Sequence, residues 1–324
     1  MSAAFETGVF TGGETAWHGL GVVMPDKIYS IEEAITLGQL NWLVHKMPLF
    51  YEGEDSLIEI PNYYSLVRDD GTVLNPCVGR KYEVLQNHEA FNFFEPFLHE
   101  KDCFISSAIS LHGGKKVCFL VEIEDNEREI VKGDTVRTFL LVATSHDGSI
   151  RTIVKFCTIR VVCQNTLSAA LSDGRSFKAV SHTKSQKEQL ANIQASIDIY
   201  RRNFTEEVTI YKQLAKKPMG LDATRDYLET LFQKELKDTA KRLEMPTDMI
   251  SLEDNAFTKK CLNNFMYSED LQMDGVVDTA WAAFNCVTEA IKVRSSNADN
   301  RLDSIWFGPD GKLIDRAKEL ALSM

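Results

Sequence analysis

The sequence predicts an α+β protein in which antiparallel β-hairpins with packed helices are followed by a helical C-terminal part. Before about residue 180, short apolar runs are joined by turns that contain glycine, and this pattern is typical of hairpins. After about residue 181, apolar residues recur at spacings of three and four, as they do in amphipathic helices. We therefore expect a strand-rich domain over residues 1–180 and a helical region over residues 181–324.

Three hairpins follow from the turn sequences. Asp-Gly between two β-prone runs is among the stronger hairpin signals, because both residues tolerate the positive φ angles of a tight turn. The predicted hairpins are residues 62–68 with 72–74 around Asp69-Asp70-Gly71, residues 104–111 with 115–123 around His112-Gly113-Gly114, and residues 136–144 with 150–159 around Ser145-His146-Asp147-Gly148.

Helices are predicted between and after these hairpins. Residues 87–95 have a strongly apolar face and Asn87 as a candidate N-cap. Residues 165–171 have the propensity and spacing of a helix that follows directly on the last hairpin. The same apolar spacing predicts a long amphipathic helix over residues 183–217, and Pro218 is expected to end it. Shorter helices are expected at about 222–243, 255–267, 275–293 and 311–323, with a polar linker at 294–301.

The composition is that of a soluble globular protein. The chain has 324 residues, of which 44% are hydrophobic and 26% charged, so it can bury a sizeable core. It has no apolar run long enough for a membrane span, and its first residues lack the basic and apolar regions of a signal peptide, so we expect a cytoplasmic protein without a membrane partner. The seven cysteines lack zinc-site spacing, which predicts reduced core thiols and neither a metal nor a cofactor.

Positive charge is concentrated in one stretch of an acidic chain. The formal net charge is −11, yet residues 151–217 hold 12 Lys or Arg against 5 Asp or Glu. Single-stranded nucleic acid is bound by basic grooves together with aromatic side chains that stack on bases. Arg151 and Lys155 share one face of a predicted strand, so a phosphate track is expected there. The candidate residues are Arg80, Lys81, Tyr82, Arg151, Lys155 and Arg160. The other interpretation is that these charges lie on exposed faces and are simply solvated.

An enzyme is a further alternative. Cys163, His146 and Asp147 are the residue types of a nucleophile, a base and an orienting carboxylate, and His18 is a candidate ligand-binding residue in an N-terminal loop. His146 lies at a hairpin tip, however, and Cys163 follows the far end of the same predicted strand. Because a strand rises about 3.3 Å per residue, the two side chains should lie far apart. We therefore expect a protein that does not act as an enzyme.

Several motifs together resemble one known family. They are Ala16-Trp17-His18-Gly19-Leu20-Gly21, Gly79-Arg80-Lys81-Tyr82, Ser145-His146-Asp147-Gly148, residues 160–167, and the closing stretch that begins Ser304-Ile305-Trp306-Phe307-Gly308. In this combination the chain resembles the phage/plasmid-like proteins. Bacteriophages, prophages and plasmids carry this protein family, and its domain has no assigned function. The resemblance implies a location in a bacterial host cell and names no reaction.

The order of predicted elements has a second, looser likeness. The order helix, three or four antiparallel strands, then a helix, with a basic segment at the last strand-to-helix junction, is similar to the core of single-strand annealing recombinases. This is a likeness of topology and charge. It implies single-stranded DNA as the partner, a role in recombination or replication, and a homo-oligomer. The competing hypothesis is a non-enzymatic interaction factor whose acidic surface engages a host protein.

Overall fold

The chain folds into an α+β structure, which a computed structural model describes for residues 7–10, 22–23, 27–92, 95–99, 103–123, 127–162, 165–168, 178–180 and 197–324. It forms two compact units, and each is assembled from three separate segments of the sequence. The first unit comprises Met1–Asn126, Phe139–Phe156 and Arg175–Tyr200, and the second comprises Glu127–Thr138, Cys157–Gly174 and Arg201–Met324. The sequential division at residue 180 stays a prediction.

Within the described ranges, the strands lie before residue 181, as the sequence predicts. In chain order they are β1 (Thr7–Phe10), β2 (Val22–Val23), β3 (Val44–Glu52), β4 (Leu57–Arg68), β5 (Val73–Gly79), β6 (Cys103–Leu111), β7 (Lys116–Ile123), β8 (Arg128–Val131), β9 (Asp134–Ser145), β10 (Thr152–Arg160), β11 (Asn165–Ser168) and β12 (Lys178–Val180).

The helices lie mostly in the C-terminal part. They are α1 (Ile31–Leu37), α2 (Asn87–Phe91), α3 (Glu95–His99), α4 (Ile197–Lys216), α5 (Leu221–Leu231), α6 (Gln233–Leu243), α7 (Ala256–Tyr267), α8 (Ala280–Lys292), α9 (Ala298–Phe307) and α10 (Pro309–Ser323).

The first unit contains two sheets. The smaller has the order β3-β4-β5, with antiparallel neighbours throughout. The larger runs β10-β9-β7-β6-β1-β2, and β12 pairs with β10. The three predicted hairpins are all present, as β4–β5, β6–β7 and β9–β10. The additional β3–β4 hairpin was not predicted, because its loop, Gly53-Glu54-Asp55-Ser56, lacks an Asp-Gly or Asn-Gly pair.

The core of the first unit lies between the helices and these strands. Ile31, Ala34 and Ile35 on one side of α1 are buried, since their spacing puts them on one face of the helix. Phe91 of α2 stacks on Phe119 of β7 with ring centroids 3.7 Å apart. Both rings are fully buried, and burial of a Phe side chain stabilises a fold by about 1.5–3 kcal/mol.

The second unit is mainly helical. Its central helix is α8, in which every residue from Ala280 to Thr288 is buried. The side chain of Thr279 caps α8 by accepting a hydrogen bond from the amide of Ala282, and Asn255 caps α7 in the same way. Lys217 donates hydrogen bonds to the last carbonyls of α10, at Ala321 and Leu322, where the helix dipole favours a cation.

One predicted helix is wrong. Residues 165–168 form β11, which pairs antiparallel with β10 through Arg160↔Asn165 and Ile159↔Thr166. Pairing with an existing strand satisfies the backbone of this segment, and such a tertiary interaction overrides a weak local preference for helix. Residues 169–171, the remainder of the predicted helix, lie outside the described residues.

Other predictions hold in part. The long helix is confirmed over Ile197–Lys216, and residues 183–196 lie outside the described chain. The single helix expected at 222–243 is two helices, α5 and α6, because the backbone leaves helical geometry at Phe232. Residues 294–301 are not wholly a linker, since α9 begins within them at Ala298, capped by Asn297. Asn87 is not an N-cap: Gln86 takes that position, and Asn87 is buried.

Candidate nucleic-acid interface

Arg80 and Lys81 lie directly after β5 and are exposed. Lys46 holds their backbone in place, because its ammonium group donates hydrogen bonds to the carbonyl oxygens of Arg80 (2.9 Å) and Tyr82 (2.8 Å). The same ammonium group lies over the ring of Tyr64, 4.6 Å from its centroid. The loop is therefore fixed through its backbone while the side chains of Arg80 and Lys81 extend into solvent.

Tyr82 is an anchor for this loop rather than an exposed stacking surface. Its ring packs against the core, and its hydroxyl donates a hydrogen bond to the carbonyl of Ser145 at 3.3 Å. Burial, together with the nearby carboxylate of Asp147, raises the pKa of the Tyr82 phenol well above its ordinary value. The predicted role of Tyr82 in stacking on bases does not fit this position.

The turn between β9 and β10, which Arg151 follows, is hydrogen-bonded to β5 and to the loop after it. Asn75 of β5 donates a hydrogen bond from its side chain to the carbonyl of Asp147 at 2.7 Å, and the Tyr82–Ser145 bond makes a second link to this turn. The carboxylate of Asp147 is itself occupied, since it accepts the amide of Ser149 at 2.9 Å. Arg151 follows the turn and is exposed. The structure thus joins the segments that carry Arg80, Lys81 and Arg151.

The other two predicted cations lie in the interior. Lys155 is 5% exposed and Arg160 is fully buried, so neither presents its charge to a phosphate at the surface. The expectation that Arg151, Lys155 and Arg160 form one exposed track is therefore corrected. Arg151 lies directly before β10, and the face of β10 that carries Lys155 is covered.

Arg160 belongs to a buried polar cluster of the second unit. Its guanidinium makes a two-pronged contact with the carboxylate of Asp134, at 2.8 Å and 2.7 Å, and donates to the carbonyl of Asp270. The indole of Trp281 donates to the same carboxylate at 2.8 Å. Glu289 lies 3.8 Å from the guanidinium, and burial raises the pKa of the Glu289 carboxyl. A buried charge needs such partners, so this cluster is structural.

Tyr63 is an exposed aromatic residue beside the cations Arg80 and Lys81 that was not among the predicted residues. Its Cα partner in β5 is Gly79, the residue directly before Arg80, and its side chain is 51% exposed. Alternation in a strand could have found it. Of the pair Tyr63 and Tyr64, one must face the core and the other the solvent, and Tyr64 packs against the core.

His146 is the one residue of the proposed catalytic set His18, His146 and Cys163 that lies among the described residues. His146 is buried beside Trp42, with ring centroids 5.3 Å apart, and its Nε2 shares a hydrogen bond of 2.9 Å with the side-chain oxygen of Asn87. The side-chain NH2 group of Asn87 donates to the carbonyl of Leu40, so the side-chain oxygen of Asn87 is the atom that accepts from His146. His146 is thus fixed inside the core. His18 and Cys163 lie outside the described residues.

A family model described as "Domain of unknown function (DUF932)" matches residues 76–306, well over half of the chain. The chain belongs to the DUF932 family. The DUF932 match includes Arg80, Lys81 and Arg151, and also the buried pair of Asp134 and Arg160, whereas Tyr63 precedes it. No curated protein and no solved structure matches the chain.

Two further findings concern the described part of this DUF932 protein. None of its helices is long and apolar enough to cross a membrane. Within the same residues, no group of three or more His, Cys, Asp or Glu side chains is arranged to hold a metal ion. Of the six cysteines described, Cys77 is exposed and the others are buried.

Proposed function

We propose that the first unit binds single-stranded DNA without catalysis, on a surface formed by Arg80, Lys81, Arg151 and Tyr63. The observation that supports this is the pair of hydrogen bonds, Tyr82 to Ser145 and Asn75 to Asp147, that joins the loop after β5 to the turn before β10. These bonds fix the backbone of two segments that carry three exposed cations. Phosphates are bound by such cations, and a half-exposed tyrosine offers a face for stacking a base.

The charge of the rest of the chain limits this binding to the one surface. With a net charge of −11, most of the protein repels a polyanion, so we expect modest affinity at physiological salt. The motif resemblance to phage/plasmid-like proteins supports a role in DNA recombination or replication of a mobile element. Promotion of strand annealing is the activity to assay once binding is established.

The test is fluorescence anisotropy with a labelled oligonucleotide, single-stranded and double-stranded, over a salt series. Three phosphate contacts to a single strand give a slope of about −2 in a plot of log affinity against log salt. Replacement of Arg80, Lys81 and Arg151 by alanine should abolish both the binding and its salt dependence. The matched control replaces Lys237, Lys259 and Lys260, three exposed lysines of the second unit, and should bind like wild type.

Substitutions at Tyr63 test whether binding includes base stacking or is charge attraction alone. Tyr63→Ala should weaken single-strand binding roughly five- to hundredfold, since one stacked base contributes about 1–3 kcal/mol, whereas Tyr63→Phe keeps the ring and should bind normally. Wild-type protein that shows no binding at low salt overturns the proposal. Equal loss in the basic-surface variant and in the control variant also overturns it, because the affinity would then depend on net charge alone.

A further inference from the structure

One face of the three-stranded sheet is apolar and partly open to solvent. In β3 and β4, the residues that face the core are Val44, Lys46, Leu66 and Arg68, whose pairings put them on one side of the sheet. The alternate residues therefore form the opposite side, which we call the outer face. Its apolar members are Met47, Leu49, Tyr51, Ile58, Ile60, Val67 and Val73.

Beyond the core this face continues along a two-stranded ribbon. The register shifts between Pro48 and Leu49, where β4 holds the extra residues, so the continuous alternation of β3 assigns Leu49 and Tyr51 to the outer face. Their partners Ile60 and Ile58 share that face. Tyr51 is 52% exposed and Ile58 is 42% exposed. A two-stranded ribbon is only marginally stable by itself, and natural proteins seldom leave contiguous apolar residues of this kind uncovered. The ribbon thus has the features of a contact surface.

Charge distinguishes the two faces of the ribbon. Glu52 pairs with Leu57, and Glu59 pairs with Phe50, so both carboxylates lie on the opposite face. Glu54 and Asp55 lie in the tip loop. The paired positions of the outer face carry no Asp, Glu, Lys or Arg. Four carboxylates near the tip disfavour a nucleic acid or an anionic membrane as the occupant, since both are negatively charged.

We propose that the outer face docks against the outer face of a second copy of this chain. A symmetric contact sets a surface against itself, so any net charge on it would repel its own copy; this face has none, and the acids point away from it. Two sheets pack face to face about 10 Å apart through such apolar side chains. Tyr63 of the proposed DNA surface lies on the same side of β4 as Val67, so the two surfaces adjoin there, whereas Arg80, Lys81 and Arg151 lie outside the three strands. Neither proposal depends on the other.

The size of the face sets the expected strength. A strand of nine residues is about 30 Å long, and three strands are about 10 Å across, so the face covers about 300 Å² in projection. A standard stable interface buries about 800 Å² of accessible surface per partner. We therefore expect a weak dimer whose population rises with protein concentration in the micromolar range.

Sedimentation velocity of the full chain over a concentration series tests this. Ile58→Lys puts a charge on the outer face and should keep the protein monomeric, since the two copies then repel each other. Leu57→Lys is the matched control: the residue is the immediate neighbour, is 69% exposed and lies on the opposite face, so this variant should dimerise like wild type. Circular dichroism checks that both variants fold.

A second experiment mixes two variants of opposite charge and measures whether they associate. Ile58→Lys and Ile58→Glu should each be monomeric alone and should associate when mixed, because opposite charges now meet across the interface. Wild-type protein that stays monomeric at the highest concentration overturns the proposal. A dimer that Ile58→Lys leaves intact, or that Leu57→Lys disrupts equally, overturns it too. Replacement of Arg80, Lys81 and Arg151 by alanine should leave dimerisation unchanged.

Discussion

Arg160 and Asp134 form a fully buried, two-pronged ion pair within the second unit. Such a pair is strongly destabilising to break, because one charge is then left buried without its partner. Arg160 is also the residue in which the sequence analysis and the structure differ most, since a predicted phosphate ligand is a structural group.

The first prediction concerns the stability of this pair. Asp134→Ala and Arg160→Ala should each lower the free energy of unfolding by about 3–5 kcal/mol, whereas the double variant Asp134→Leu with Arg160→Met should lose less than the sum of two single changes. Urea denaturation gives these values. Among molecules that remain folded, Arg160→Ala should keep wild-type DNA affinity. Additive losses in the double variant would contradict the interpretation of a coupled pair.

The second prediction concerns pH. Burial raises the pKa of Glu289 above its ordinary value of 4.5, so the folded state holds this proton more tightly than the unfolded state. The stability from protonated Glu289 is therefore complete below pH 4.5 and is lost as pH rises through the raised pKa. Glu289→Gln should match wild type at the acid end and be more stable at pH 7, which urea midpoints over a pH series measure.

Glu253 serves as the control of opposite sign. A hydrogen bond from Arg225 holds the pKa of Glu253 below its ordinary value, so its stabilisation is present above pH 4.5 and is lost in acid. Glu253→Gln should therefore be slightly less stable than wild type at pH 7, and the difference should vanish toward low pH. If both substitutions changed the stability at pH 7 in the same direction, the change in net charge would be the dominant effect.

The third prediction compares two glycines. Gly71 lies in the β4–β5 turn at φ +90°, Gly79 ends β5 without positive φ, and an added Cβ meets no atom at either position. Gly71→Ala should cost roughly 1–2 kcal/mol, because the left-handed conformation brings Cβ close to the backbone, while Gly79→Ala should be neutral. Thermal unfolding compares the two, and equal effects would show that backbone conformation is not the cause.

The fourth prediction concerns His146. His146→Ala removes a ring from the side of Trp42 and leaves the Asn87 oxygen buried without this hydrogen bond, so it should cost at least about 1–3 kcal/mol. The exposed His88 provides the comparison, and His88→Ala should change stability by about 0.5 kcal/mol or less. Denaturation midpoints of the two variants measure this difference. A His146→Ala protein as stable as wild type would contradict the prediction.

Elements that are determined by a few neighbouring residues were predicted correctly, and elements that depend on a distant partner were not. The β4–β5 and β9–β10 hairpins were predicted correctly because Asp-Gly turns determine them within a few residues. The helix over residues 165–171 was wrong because pairing with β10, a tertiary interaction, decides that segment. Local propensity carries no information about such a partner.

The candidate site shows the same division. Exposure of Arg80, Lys81 and Arg151 agrees with what charged residues next to turns usually do. Burial of Arg160 depends on Asp134 and Trp281, and the count of charges along residues 151–217 cannot reveal partners so distant in sequence. Tyr63 was missed because an aromatic residue in a strand usually indicates core.

The discontinuous second unit also sets an order of events during synthesis. Asp134 leaves the ribosome 147 residues before Trp281, which donates to its carboxylate. At translation rates of about 5–20 residues per second, this delay is roughly 7–30 s. Throughout that time the strands that carry Asp134 and Arg160 exist without the helices that will enclose them. Asp134 and Arg160, the two partners of the buried ion pair, therefore stay in contact with water until the last third of the chain has been made.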